Sequence, residues 1–153
     1  MTIRVQTGDF DIGAELDKLA AGNHQVGGIA SFVGLVRDIA PAGSGAASAM
    51  TLEHYPGMTE KRLAEIEAEA QGRWPLAATL IIHRYGRLAP GDRIVLVATA
   101  SGHREAALES CAFLIDWLKT EAPFWKLEDG PEGARWVEAK TSDDARKAAW
   151  DKK

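Results

Sequence analysis

The sequence predicts an α+β fold, a mixed or antiparallel sheet with packed helices, within a single domain over residues 1–153. Three observations lead there. Strand-like and helix-like runs intermix without a strict βαβ alternation. Two β-rich runs are joined by the short turn sequence LAPGD. No internal repeat divides the chain. With 153 residues, 46% of them hydrophobic and 26% charged, the chain is long enough to bury a core without disulfide or metal staples.

The elements read in order as follows. Thr2 to Gln6 is a short edge strand, and Asp11 to Ala21 a short helix with Ile12, Leu16 and Leu19 at helical spacing. Gln25 to Val33 is a buried strand whose two glycines suggest a bulge or a close backbone approach. Residues 38–48, DIAPAGSGAAS, are small and turn-prone, and are expected to form a mobile loop. A strand resumes at Ala49 to Tyr55. From Gly57 a helix runs to about Arg73, with Leu63, Ile66 and Ala70 facing inward. Thr79 to Tyr85 and Arg93 to Ala100 are strands, and Pro90-Gly91 between them suits the centre of a type II turn. Ser101 is placed to cap a long helix to about Glu121, with Leu108, Cys111, Ile115 and Leu118 as its buried stripe. Pro123 ends that helix. Phe124 to Glu128 and Arg135 to Ala139 are a last pair of strands, and Asp143 to Trp150 a helix within a C-terminal tail of residues 141–153.

Composition excludes several functions. A net charge of −4 argues against a general nucleic-acid binder. No apolar run approaches the roughly 20 residues of a membrane span. A strand-like N-terminus without signal architecture and a single cysteine fit a soluble protein of a reducing compartment, the cytoplasm. The chain lacks GxSxG, Walker, GxGxxG and HExxH motifs, and its four histidines are scattered, so neither a metal nor a cofactor is expected. Cys111 on the apolar stripe reads as a small buried thiol rather than a nucleophile.

The chemistry-bearing stretch is LKTEAPFWKLED, Leu118 to Asp129. Lys119 borders the buried stripe in the last helical turn, where a cation suits the negative helix end. Beyond Pro123, strand alternation puts Phe124, Lys126 and Glu128 on one face and Trp125 and Leu127 on the other. With Trp125 and Leu127 in the core, Lys126 faces outward beside Lys119. Two readings stand. One is a pair of solvated surface lysines. The other is a partly dry pocket in which two ammoniums depress each other's pKa and together receive a phosphate or carboxylate.

Ser101-Gly102-His103-Arg104 opens the same helix, where free N–H groups, an imidazole and a guanidinium coincide. It is either an anion site or an ordinary capped helix end. Arg37, after the strand SFVGLV, is either a ligand clamp or a loop arginine. Sixteen residues along one helix separate His103 from Lys119 by roughly 24 Å, too far for one small pocket. Either the sites are separate, or a homodimer brings one copy's His103-Arg104 to the other's lysines.

The runs LEHYPGMTEK, RWPL, HRYGRLAPGD, SGHR, LKTEAPFWK and GARWVEA resemble the molybdopterin synthase catalytic (large) subunit family, over about residues 25–150. The resemblance implies an α/β-hammerhead type of α+β fold. It implies a central homodimer with a small ubiquitin-like sulfur-carrier subunit at each end, a heterotetramer. Its reaction inserts two sulfurs into cyclic pyranopterin monophosphate (precursor Z) as a dithiolene. The sulfur comes from a thiocarboxylate on the carrier's C-terminal glycine. Carried over residue by residue, Lys119 and Lys126 match the family's catalytic pair. Leu35, Val36, Arg37, His103, Arg104, Lys119, Lys126, Leu127 and Glu128 match its substrate contacts. Family members commonly carry lysine where this chain has Leu35, which leaves backbone or apolar contact as that residue's contribution.

Overall fold

The computed structural model describes residues 2–38, 49–121, 124–130, 133–137 and 141–152, with backbone placement alone for 125–130, 133–137, 141–144 and 152. The expected loop at 38–48 lies outside these residues except for Asp38, as does the Ala122-Pro123 helix stop.

The fold is α+β, built on two four-stranded sheets. One has the order β1-β4-β6-β2, formed by β1 (Thr2–Gln6), β4 (Leu76–Arg84), β6 (Arg93–Ser101) and β2 (Gly28–Leu35). β1 pairs parallel with β4 and the other pairs are antiparallel, so this sheet is mixed, with β1 at its edge as expected. The other has the order β5-β3-β7-β8, formed by β5 (Gly86–Leu88), β3 (Ala49–His54), β7 (Phe124–Gly130) and β8 (Gly133–Val137), all antiparallel. The chain passes from one sheet to the other between β4 and β5, where Gly86 takes a φ of 93° that side-chain-bearing residues avoid. The three-residue β5 is too short to have a periodicity of its own, and sequence reading missed it.

α1 (Ile12–Leu19) lies on one face of the first sheet. Asp11 caps it by accepting a 3.0 Å bond from Ala14 N, and Ile12, Leu16 and Leu19 pack against Leu80, Ile82, Leu96 and Ala98. α2 (Met58–Arg73) and α3 (Arg104–Thr120) cover the other face. Leu63, Ile66 and Ala70 are buried on α2, as their spacing predicts. α4 (Thr141–Ala149) and a terminal 3-10 turn (Trp150–Lys152) follow, with α4 packed on α3.

Two expectations for α3 need correction. Ser101 does not cap it. Ser101 is the last residue of β6, its hydroxyl donates to Pro75 O at 2.8 Å and accepts from His103 N at 3.1 Å, and His103 occupies the cap position. Leu108 is also not part of a buried stripe, being 62% exposed. Ala107, Ser110, Cys111 and Leu114 are its buried positions, and the expected Ile115 and Leu118 are half-buried against the core beside them. Small residues let the helix sit close enough for Thr99 Oγ1 to donate to Ala107 O at 2.6 Å. The strand expected to be buried at Gln25 to Val33 is instead the edge strand Gly28–Leu35, with Ile29 and Phe32 exposed. Two other expectations hold. Gly91 has a φ of 90° and Asp92 N donates to Ala89 O at 3.0 Å, closing a turn with Pro90-Gly91 at its centre. Gly27 marks a close approach, since a Cβ there would lie 2.5 Å from Gly102 O.

Candidate active site

The path of α3 decides which candidate residues meet. Ala107 O contacts Thr99, and Cys111 Sγ lies 3.9 Å from Val97 O, so the helix runs antiparallel to β6. Its last turn therefore lies toward Arg93, the end of β6 that pairs with Leu35 of β2. Lys119 and the segment Leu35–Arg37 thus belong to one end of this layer. His103 and Arg104 belong to the other, some 24 Å along the helix. Within one chain the structure brings the lysine end to the Arg37 end and leaves the imidazole–guanidinium pair apart.

Lys119 is exposed. Its anionic neighbour Glu121 is already occupied, accepting from Arg62 Nη2 at 2.9 Å and from Lys147. Both cations hold the Glu121 carboxyl below its ordinary pKa, Lys147 foremost. The carboxylate nearest in sequence to the site therefore does not cancel the Lys119 charge. Leu35 is exposed, presenting an apolar side chain, and Arg37 is exposed beside it. Val36 between them is buried. Its N–H donates to Asp92 O at 2.9 Å and its carbonyl accepts from Gly91 N at 2.8 Å. Val36 accordingly fastens Leu35 and Arg37 to the Pro90-Gly91 turn rather than offering its own side chain. His103 and Arg104 are exposed at the α3 N-terminus, where no side chain caps the helix.

Lys126 lies in the middle of β7, in register with Leu52 of β3 and Val137 of β8. Leu127 pairs with Thr51, and Glu128 with Met50. Register sets Lys126 opposite Leu52 and Glu128 opposite Met50, both buried residues of β3, while Trp125 stands opposite the exposed Glu53. Alternation alone told the two sets of positions apart but not their partners, which lie on a strand about 70 residues earlier.

Sequence reading also missed what holds β7 in place. His83 of β4 and Phe124, the first residue of β7, stack with ring centroids 3.7 Å apart and planes 16° from parallel. The only available signal was a histidine inside an otherwise apolar strand. Cys111 is buried, and burial pushes its thiol up to about 11, as befits a packing residue. Among the described residues, no group of three or more His, Cys, Asp or Glu is placed to hold a metal ion, and no helix is long and apolar enough to cross a membrane. A shallow cavity of about 420 Å³ lined by Asp9, Phe10, Asp11 and Arg93 gathers none of the candidate residues.

A family model described as MoaE protein matches residues 5–121. The chain belongs to the MoaE family. Its relatives include proteins named molybdopterin synthase catalytic subunit from Ralstonia nicotianae and Pseudomonas aeruginosa. The first is 58% identical over 97% of this chain and 84% of that protein; the second is 53% identical over 99% of each. A solved structure titled molybdopterin biosynthesis MoaE protein, from Burkholderia ambifaria, superposes with a TM-score of 0.84 at 55% identity, covering 98% of this chain and 97% of that one. The MoaE relatives carry the resemblance first read from LKTEAPFWK and HRYGRLAPGD along nearly the whole chain, first strand included.

Proposed function

We propose that this chain is the catalytic subunit of a molybdopterin synthase. In this role it transfers sulfur from a thiocarboxylated ubiquitin-like carrier to cyclic pyranopterin monophosphate and so builds the dithiolene. Beyond family membership, the supporting observation is Lys119, exposed at the close of α3 and without an ion pair among the described residues, seven residues before Lys126 on a strand paired with β3.

The chemistry follows from charge. The substrate carries a phosphate and the carrier's terminus is an anion, so both call for cations. A thiocarboxylate is already a competent sulfur nucleophile, which leaves the buried, protonated Cys111 without a catalytic task. The protein must neutralise charge, exclude water and move protons. Lys119 is assigned to the carrier's terminal carbonyl and to proton transfer, and Lys126 to polarising the substrate. Arg37 holds phosphate or pterin from the same end of the layer, with Leu35, Leu127 and Glu128 completing the contacts. His103 and Arg104 come from a second copy, because the length of α3 keeps them from their own chain's Lys119. Two copies and two carriers make the assembly.

Incubation of the purified protein with thiocarboxylated carrier and pyranopterin substrate tests this. Dithiolene product is expected, and Lys119→Ala is expected to abolish it while leaving dimerisation and carrier binding intact. Near-normal turnover by Lys119→Ala would refute the catalytic assignment. Binding without any product from the wild-type protein would show a docking module instead.

A further inference from the structure

The stack of His83 on Phe124 joins the two sheets at the strand that carries Lys126, and the assignments above give it no role. His83 is a buried residue of β4, in register with Val5 of β1 and Val95 of β6. Phe124 opens β7 in the other sheet, in register with His54. The His83 ring is not free to turn. A carbonyl oxygen only accepts, so the 2.9 Å contact between Nδ1 and Arg84 O makes Nδ1 the donor and sets the ring plane. A second ring pair, His54 against Tyr85 with centroids 4.1 Å apart, lies at the same junction.

Phe124 also stands between the two lysines, five residues after Lys119 and two before Lys126. The connection is pinned at both ends. On the helix side Glu121 is tied to α2 by Arg62 and to α4 by Lys147. On the strand side the tie to the first sheet is the His83–Phe124 stack. A slip of β7 by one residue would exchange its faces and carry Lys126 to the side of Trp125.

We infer that His83 is a positioning residue for sulfur transfer: held flat on Phe124, its ring sets where β7 starts and hence how far Lys126 stands from Lys119. This rests on the assignment of the two lysines proposed above. The surface facing Phe124 is what matters, so another flat ring should serve and an aliphatic group of similar bulk should not.

The test compares His83→Phe, His83→Leu and His83→Ala in the full protein with its thiocarboxylated carrier, with folding checked by thermal melting. Because displacements near 1 Å cost up to about 100-fold in rate, His83→Leu and His83→Ala are expected to lower kcat at least about tenfold, with KM for the carrier changed less than about twofold. His83→Phe is expected to stay within about threefold of wild type. A leucine variant as fast as wild type, or a phenylalanine variant as slow as leucine, overturns the inference. If the alanine variant does not fold, the leucine–phenylalanine comparison decides. A wild-type protein that makes no dithiolene overturns the functional reading and this inference with it. Wild-type turnover with a fully active leucine variant overturns this inference alone.

Discussion

Trp150 Nε1 donates a 2.7 Å hydrogen bond to Asp116 Oδ2, tying the residue after α4 to the C-terminal part of α3. The indole also meets Trp74 and Phe113 edge-on, with centroids 5.7 Å away in each case. Arg146 Nε donates to the other Asp116 oxygen at 3.2 Å. Trp150→Phe keeps most of the ring but deletes the donor, leaving a buried carboxylate oxygen short of a partner. A loss of about 1–3 kcal/mol is expected, read by chemical denaturation. A change below about 0.5 kcal/mol would mean that water replaces the indole at no cost.

Glu121 makes a pH-dependent contribution. Lys147 and then Arg62 lower its folded-state pKa, so the stabilisation is present above the ordinary carboxylate pKa and lost as pH falls through the lowered value. The group is about a third exposed, so solvent screening keeps the effect small. Glu121→Gln is expected to cost about 0.5–1 kcal/mol at pH 7, the gap closing as the solution is acidified. An equal gap at pH 7 and pH 3 would contradict this account.

Glu67 works in the opposite direction. It is buried on α2, with only the Thr79 hydroxyl, among the described residues, close enough to offset part of the cost of a charge there. Burial raises its carboxyl pKa, with the Thr79 hydroxyl opposing more weakly. The folded protein therefore holds a proton that the unfolded chain releases near pH 4.5, and stability falls as pH rises from there through the raised folded pKa. Glu67→Gln removes the titration. The variant is expected to match wild type near pH 4 and to exceed it at pH 8 by about 1 kcal/mol. Parallel stability curves across that range would rule this out.

Much of the architecture was legible because it is local. The Pro90-Gly91 turn needs one residue with positive φ, and Leu63, Ile66 and Ala70 repeat at the helical period. The α3 stripe was right at Cys111, Ile115 and Leu118 and wrong at Leu108, which outranks Ala107 and Ser110 in hydrophobicity, whereas close packing on β6 requires the small residues. Ser101 looked like a cap by type, yet its hydroxyl is spent on Pro75 across the sheet end. On the site, Lys119 stands where helix length put it. The register of β7 was not legible, because it depends on pairing with Met50 and Leu52 of β3. The stack of His83 on Phe124 depends on two strands of different sheets, a relation that no local pattern encodes.

Cys111 supplies a control on the origin of the sulfur. With its thiol pushed up to about 11 and its side chain under α3, only about one molecule in a thousand carries the thiolate at pH 8. Iodoacetamide is therefore expected to label the native protein slowly and the denatured protein at once. Cys111→Ala is expected to keep kcat within about twofold of wild type. A variant that binds carrier but makes no dithiolene would place a protein thiol in the reaction.

The proposed composite site makes the last and strictest demand. One α3 cannot bring His103-Arg104 to its own Lys119, so Lys119→Ala and Arg104→Ala damage different sites on each copy. In a homodimer with shared sites, each homogeneous variant has two defective sites. A mixed dimer, by contrast, combines one doubly damaged site with one intact site. Mixing the two inactive variants under exchange conditions should therefore restore activity, approaching about one quarter of wild type when subunits pair at random. Independent sites within each chain predict none at any ratio. Separately tagged copies, purified for both tags, would isolate the mixed dimer and raise the expected value to about one half. Failure to recover turnover in that species would place Arg104 and Lys119 in the same functional unit and end the case for a shared pocket.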